Sequence, residues 1–310
     1  LIRPIIRPAV DSLEATMERI ADALSPGSLA EALEMLARDG GRDAIPIAGG
    51  TNVVVAMREG VHWGKALVDV SRLEELGGVR REGDEMAVGG GTTLAAVLES
   101  ELIARHGRPL HQAARVFANP LVRNRATVAG NLVDASPAAD TAPALLVLGA
   151  EAELASAAGS RRVPLDEFFL GPNQTVRRPD ELLVAVRWPI PSPRSAGAFQ
   201  KLALRKGTAC SVLSIAVMIA EDEDGTIARA RIALGAAAPR PVRARAAEEA
   251  LLEGCLTGTA IHAAARLAAG AAEPIDDVRS TGDYRRRMVS VITRRLLTQV
   301  KGELELGGWE

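Results

Sequence analysis

The sequence predicts a mixed α/β fold of the α+β class: two small α/β subdomains followed by a C-terminal antiparallel sheet with helices. Three observations predict it. Roughly the first two-thirds alternates short apolar strands with helical periodicity, the rhythm of β-α-β units. The last third runs strands first and helices after, the order of an α+β domain. Between them WPIPSPRSAG, Trp188 to Gly197, sets prolines at every second place and reads as a stiff extended connection. At 310 residues the chain has room for two or three domains and a sizeable core. We expect an N-terminal extension over 1–24, subdomains over 25–82 and 83–190, and a C-terminal domain over 197–305.

The extension holds Pro4, Pro8 and an amphipathic piece from Ser12 to Leu24. Ser25 to Ser28 form a turn-and-cap cluster, after which Leu29, Ala32, Leu33 and Leu36 recur at helical spacing until Gly40-Gly41. Ala44 to Ile47 is a short strand, Asn52 to Arg58 a short helix, and Lys65 to Val70 a second strand. Glu85 to Gly90 reads as a strand leading through Gly91-Thr92 into one helix over Thr93 to Arg105, with a threonine cap. A further helix runs from Leu110 to Phe117 and stops at Asn119-Pro120. Ala142 to Gly149 is apolar on all sides and so a buried helical turn, and Glu151–Ser156, Arg161–Val163 and Leu182–Trp188 are strands. The last third is an antiparallel meander with Asp224-Gly225 as its hairpin signal, then helices at Val242–Leu252, Ala260–Ala269 and Gly282–Val300.

Composition removes several function classes. With 47% hydrophobic and 25% charged residues the chain is neither disordered nor collagen-like. Aromatics at 3% and a net charge of −2 leave neither stacking platforms nor a basic footprint for nucleic acid. Cys210 and Cys255 are a distant pair, so no iron-sulfur cluster or thiolate zinc site can be built from this chain alone. The four histidines do not form HExxH, and we expect no catalytic metal. The longest apolar stretch, Cys210 to Ala220, is too short for a membrane span, and LIRPIIRPAV lacks the pattern of a secretory signal. The expected setting is reduced and cytoplasmic.

Two glycine-bearing loops carry the chemistry: IAGGTN, Ile47 to Asn52, and TVAGNLVDASPAAD, Thr127 to Asp140. Glycine lets backbone approach a ligand closely and lets successive N–H groups converge on an anion, as in nests and helix N-termini. Thr51, Asn52, Thr127 and Asn131 add donors, and Asp140 as an acceptor suits a ribose or ribityl hydroxyl. The pair implies a dinucleotide diphosphate held between subdomains; two tight turns with capping residues fit the same spacing. No P-loop occurs, and Gly89-Gly90-Gly91 fails the dinucleotide fingerprint GxGxxG, reading instead as a strand-to-helix turn.

Taken in order, SLAEALEML, AGGTN before MREG, ANPLVRNRATVAGNLVDASPAAD, DEFFLGPNQT, ELLVAVRWP, FQKLALRKG and DYRRRMVSVITRRLL resemble one family across Pro26 to Leu297. These motifs are similar to those of the FAD-binding subunits of molybdenum hydroxylases, the medium chains of carbon monoxide dehydrogenase and xanthine dehydrogenase-like enzymes. The resemblance implies the two-subdomain FAD-binding fold of the vanillyl-alcohol oxidase and p-cresol methylhydroxylase type. It implies that Ile47, Ala48, Gly49, Gly50, Thr51, Asn52 and Val53, with Thr127, Val128, Ala129, Gly130 and Asn131, contact the FAD diphosphate, and that Asp140 binds a sugar hydroxyl. Phe117, Val184 and Lys201 match positions near the flavin. Ala129 stands where the pattern has glycine, and Thr208 where many relatives have aspartate. No catalytic side chain is implied.

The implied partners are a molybdopterin-binding large subunit and a small [2Fe-2S] subunit, in a dimer of heterotrimers, so that the molybdenum cofactor and the clusters lie on other chains. Electrons would pass from those clusters to FAD and on to NAD or another acceptor. A stand-alone flavin oxidase of the same fold and a flavin-less scaffold are the alternatives. Arginines 285–287, 294 and 295 lie in a helix, spaced so that several guanidinium groups share one face, which reads as a solvated face or as a docking surface for an acidic partner subunit.

Overall fold

The computed structural model describes residues 20–252 and 254–308. The amphipathic piece expected from Ser12 therefore lies, up to residue 19, outside the described residues. Its last residues do not belong to an extension: β1 (Asp22–Leu24) pairs in parallel with Ala66–Val68. The first sheet has the order β1-β3-β2, where β2 is Ala44–Ile47 and β3 is Ala66–Asp69, all parallel. Helix α1 (Leu29–Ala37) starts where the Ser28 hydroxyl accepts from the Glu31 N–H, and it buries Ala32, Leu33 and Leu36 against Val68, Val70 and Leu76. Helix α2 (Val53–Arg58) joins β2 to β3.

The second sheet is antiparallel throughout, in the order β4-β5-β10-β6-β7. Its strands are β4 (Val79–Glu82), β5 (Glu85–Gly89), β6 (Glu151–Ser156), β7 (Gly159–Pro164) and β10 (Leu182–Pro189). Because β4 pairs with β5, residues 79–82, which lie before the division expected at 82/83, belong to the second sheet. The single helix expected over Thr93 to Arg105 is two, α3 (Leu94–Glu99) and α4 (Glu101–His106). Ser100 breaks them: its ψ is 118° and its hydroxyl caps the Ile103 N–H, a local bond that competes with helix continuation. Helix α5 (Arg108–Val116) follows, and the loop-like stretch after it contains two short helices, α6 (Pro120–Arg123) and α7 (Val128–Val133).

Helix α8 (Thr141–Leu148) is buried at every residue. At its C-terminal end the Arg231 guanidinium donates to the Val147 carbonyl at 3.3 Å, a cation where the helix dipole is negative, and burial lowers that guanidinium to about 10. Helix α9 (Leu165–Phe168) and the hairpin β8 (Phe169–Gly171) and β9 (Gln174–Thr175) close this subdomain.

The connection to the last domain is shorter than the proline spacing suggests. Strand β10 runs through Pro189 and β11 begins at Ser195, while Trp188 is fully buried with its indole N–H on the His106 carbonyl at 2.9 Å. The third sheet is a meander, β11 (Ser195–Leu202), β12 (Leu213–Glu221), β13 (Ile227–Gly235) and β14 (Val242–Arg243). One face of it, with Phe199, Ala216, Met218 and Ala233, joins the core of the second subdomain; the other, with Ile215, Val217 and Ile232, packs on α11 (Gly258–Gly270) and α12 (Gly282–Glu305). The helix expected over Val242–Leu252 is instead the edge strand β14 followed by the short α10 (Arg245–Glu249). On α12 the expected basic face is incomplete, because Arg285 is buried, ion-paired with Asp277 at 2.5 Å and bonded to the Ala236 carbonyl. No helix among the described residues is long and apolar enough to cross a membrane.

Candidate functional site

The site grows from the turn between β2 and α2. After Ile47 the chain passes through Ala48 to Asn52, and Gly50 sits at φ +72°, in the region that disfavours a side chain. Gly49 is pressed so closely on the second loop that a Cβ there would overlap the Arg125 carbonyl oxygen. The carbonyls of Gly50 and Asn52 start the helix, accepting from Val54 at 3.1 Å and Ala56 at 2.9 Å. The N–H groups of Gly49, Gly50, Thr51, Asn52 and Val53 have no acceptor among the described residues. Ile47 to Thr51 and Val53 are half-buried and Asn52 is exposed, so this row of donors faces accessible space.

The second loop is braced from within. Val128 donates to the Thr92 carbonyl at 3.0 Å, Ala129 to Gly90 at 2.9 Å, Asn131 to Thr127 at 3.0 Å, and Gly130 to the Thr127 hydroxyl at 3.1 Å. Its backbone is thus largely occupied in holding its own shape. Asn131 receives the Thr141 hydroxyl on Oδ1 at 2.5 Å, which turns its remaining capacity to the amide NH2. Gly90 couples the loop to β10, since its N–H donates to the Val184 carbonyl at 2.8 Å. Val184 stands at the β10 register shift, and its half-buried side chain packs with Ala48 on the first subdomain's core.

Asp140 and Lys201, 61 positions apart, face each other. The ammonium lies 2.6 Å from one carboxylate oxygen, and the Ser211 hydroxyl donates to the other at 2.5 Å. Both side chains are buried. Burial pushes the Asp140 carboxyl up, and the Lys201 charge with the two hydrogen bonds pulls it back. This triad ties the head of α8 to the third domain. Phe117, half-buried at the end of α5, packs on the second subdomain's core, and the residues after it are tied to the third domain: the Thr208 N–H donates to the Ala118 carbonyl at 3.1 Å, and its hydroxyl accepts from the Asn119 amide at 3.2 Å. The hydroxyl at the position where the resembled family has aspartate is therefore engaged.

The structure thus brings together the two loops, Val184 and the Asp140–Lys201 pair, while Phe117 packs on the second subdomain's core. Sequence reasoning missed Ser211, Gly90 and Arg125. Ser211 has no local signal; for Arg125 the signal available was a cation two positions before Thr127. Chemically, the set fits an acceptor-rich diphosphate on the Gly49–Val53 donors and hydroxyl groups near Asn131 and Asp140, with apolar walls at Val184 and Phe117. Among the described residues no group of three or more His, Cys, Asp or Glu could hold a metal ion.

These features suit a dinucleotide-binding protein, and comparison with known proteins shows the class. Residues 16–191 match the family described as FAD binding domain in molybdopterin dehydrogenase, and residues 198–300 the CO dehydrogenase flavoprotein C-terminal domain. The chain is 31% identical over 273 residues to the carbon monoxide dehydrogenase medium chain of Hydrogenophaga pseudoflava, covering 88% of this chain and 94% of that one. It is 30% identical over 275 residues to the xanthine dehydrogenase FAD-binding subunit of Escherichia coli O157:H7, covering 88% and 93%. Its fold superposes on carbon monoxide dehydrogenase from H. pseudoflava with a TM-score of 0.86 at 31% identity, over 91% of this chain and 98% of that one. On quinoline 2-oxidoreductase from Pseudomonas putida the TM-score is 0.84 at 29% identity, over 92% and 98%. The chain belongs to the family of FAD-binding medium subunits of molybdenum hydroxylases, which are oxidoreductases.

Proposed function

We propose that this chain is the electron-transfer subunit of a molybdenum-dependent hydroxylase or dehydrogenase, receiving electrons from [2Fe-2S] clusters of a small partner subunit and delivering them to NAD or another acceptor. The observation that carries the reading is the row of open backbone donors from Gly49 to Val53, seated against the braced second loop. Bound FAD supplies the redox chemistry, and the protein supplies binding, orientation and electrostatics.

In this reading Gly49 to Val53 donate to the diphosphate. Asn131 turns its amide toward the same ligand, and Asp140, held by Lys201 and Ser211, directs its remaining lone pairs to a sugar hydroxyl. Val184 and Phe117 limit water around the ring system. The [2Fe-2S] clusters belong to another chain, because two cysteines, Cys210 and Cys255, cannot assemble one here, and substrate oxidation belongs to a molybdopterin-binding large subunit. The complex is a dimer of heterotrimers in the cytoplasm, a setting consistent with two unpaired thiols.

Affinity purification of the tagged chain from its source organism tests this. The reading expects co-purification of two further chains carrying molybdenum and iron, in equal stoichiometry with FAD. Recovery of the chain alone with bound flavin, turning over a small substrate by itself, would overturn the subunit role.

A further inference from the structure

Resting on the FAD reading above, we infer that Arg125 is a diphosphate-binding residue that supplies the site's positive charge. The two phosphates of FAD bring two negative charges, while the open donors of Gly49 to Val53 are neutral amides. The one buried cation of the site, Lys201, is neutralised by Asp140 at 2.6 Å. Apart from Lys201, Arg125 is, among the described residues, the one lysine or arginine whose side chain hydrogen-bonds to either loop. Its Nε donates to the Gly49 carbonyl at a long 3.4 Å.

Its backbone and side chain act at the same point. The Arg125 carbonyl abuts Gly49, and the guanidinium crosses from the second loop to the first. The side chain is exposed and has no carboxylate partner among the described residues. One weak bond through Nε leaves the paired terminal N–H groups of the fork unused, and these are the groups that grip phosphate oxygens in parallel. A guanidinium at this place separates a dinucleotide from the uncharged vitamin, which lacks phosphate.

The test is fluorescence titration of the full flavin-free chain with FAD and with riboflavin, for the native protein, Arg125→Gln and Arg125→Lys. Arg125→Gln is expected to raise the FAD dissociation constant about tenfold, leave the riboflavin constant unchanged, and flatten the dependence of FAD affinity on salt. Arg125→Lys keeps the charge and loses the fork, so it is expected to weaken FAD binding by less than Arg125→Gln, about threefold, while keeping the salt dependence of the native protein. An FAD constant within twofold of native in Arg125→Gln would overturn the inference. Equal weakening of FAD and riboflavin would also overturn it, reducing Arg125 to a tie between loops. A native chain that binds neither flavin would overturn the FAD reading itself and the inference with it.

Discussion

Asp140 and Lys201 are the residues on which sequence and structure complement each other most. Each stands at a position the sequence offers separately, for a sugar hydroxyl and for the flavin; only folding shows that they form one buried pair capped by Ser211. No local pattern links positions 61 apart, which is why the pairing was not legible. A buried pair is costly to break from one side, because the partner keeps an uncompensated charge. Lys201→Met is therefore expected to destabilise the chain by about 3 kcal/mol in urea unfolding, and Asp140→Asn combined with it to recover more than half of that loss. Additive losses would mean that the pair does not act as a unit. Thr127, by contrast, was legible: a threonine three positions before Gly130 is the spacing of a cap, and its hydroxyl accepts from the Gly130 N–H.

At the scale of elements, legibility followed hydrophobic pattern. Helix α8 is apolar on all sides and buried at every residue, and strand β12, mostly apolar, is buried from Leu213 to Ile219. Leu145 lies at the centre of α8 with no exposure, so Leu145→Ala is expected to cost about 2–5 kcal/mol, read from the denaturation midpoint. Strand β4 was missed because VRRE carries no apolar alternation; it is held by pairing with β5. The Ser100 break was missed because helical periodicity continues across it. The basic face of α12 was misread for a related reason, since one arginine of the run turns inward to Asp277.

That inward turn has a pH consequence. Arg279 first, then Arg285, hold the Asp277 carboxyl well below its ordinary value of 3.8. A carboxyl depressed on folding contributes stability in full above the unfolded value and loses it as pH falls toward the folded value. The stability gap between the native chain and Asp277→Asn is thus expected to be constant from about pH 5 to 7 and to narrow below about pH 4. Urea unfolding at pH 7 and pH 3 measures it, and a gap that widens in acid would contradict this account of the loop before α12.

Among the described residues, three larger sheets and the small β8-β9 hairpin build the molecule, and the sheet of the last domain is buried on both faces. The strand-then-helix order made the third domain legible, and the two glycine loops made the site legible as a place. Which loop keeps its donors free was not legible, because backbone satisfaction depends on Thr92 and Gly90 in a different element. A ligand bound only by the folded chain stabilises it by mass action. FAD at 100 times its dissociation constant is expected to add about 2.7 kcal/mol to unfolding, seen as a rise in melting temperature.

The central claim is that Gly49 to Val53 hold FAD against the second loop, and titration of the flavin-free full chain with FAD, followed by flavin fluorescence, tests it most directly. The account predicts saturable binding of one FAD per chain, lost in Gly49→Val, whose side chain would push the first loop off the Arg125 carbonyl. Absence of saturable binding in the native chain, or unchanged affinity in Gly49→Val, would contradict it.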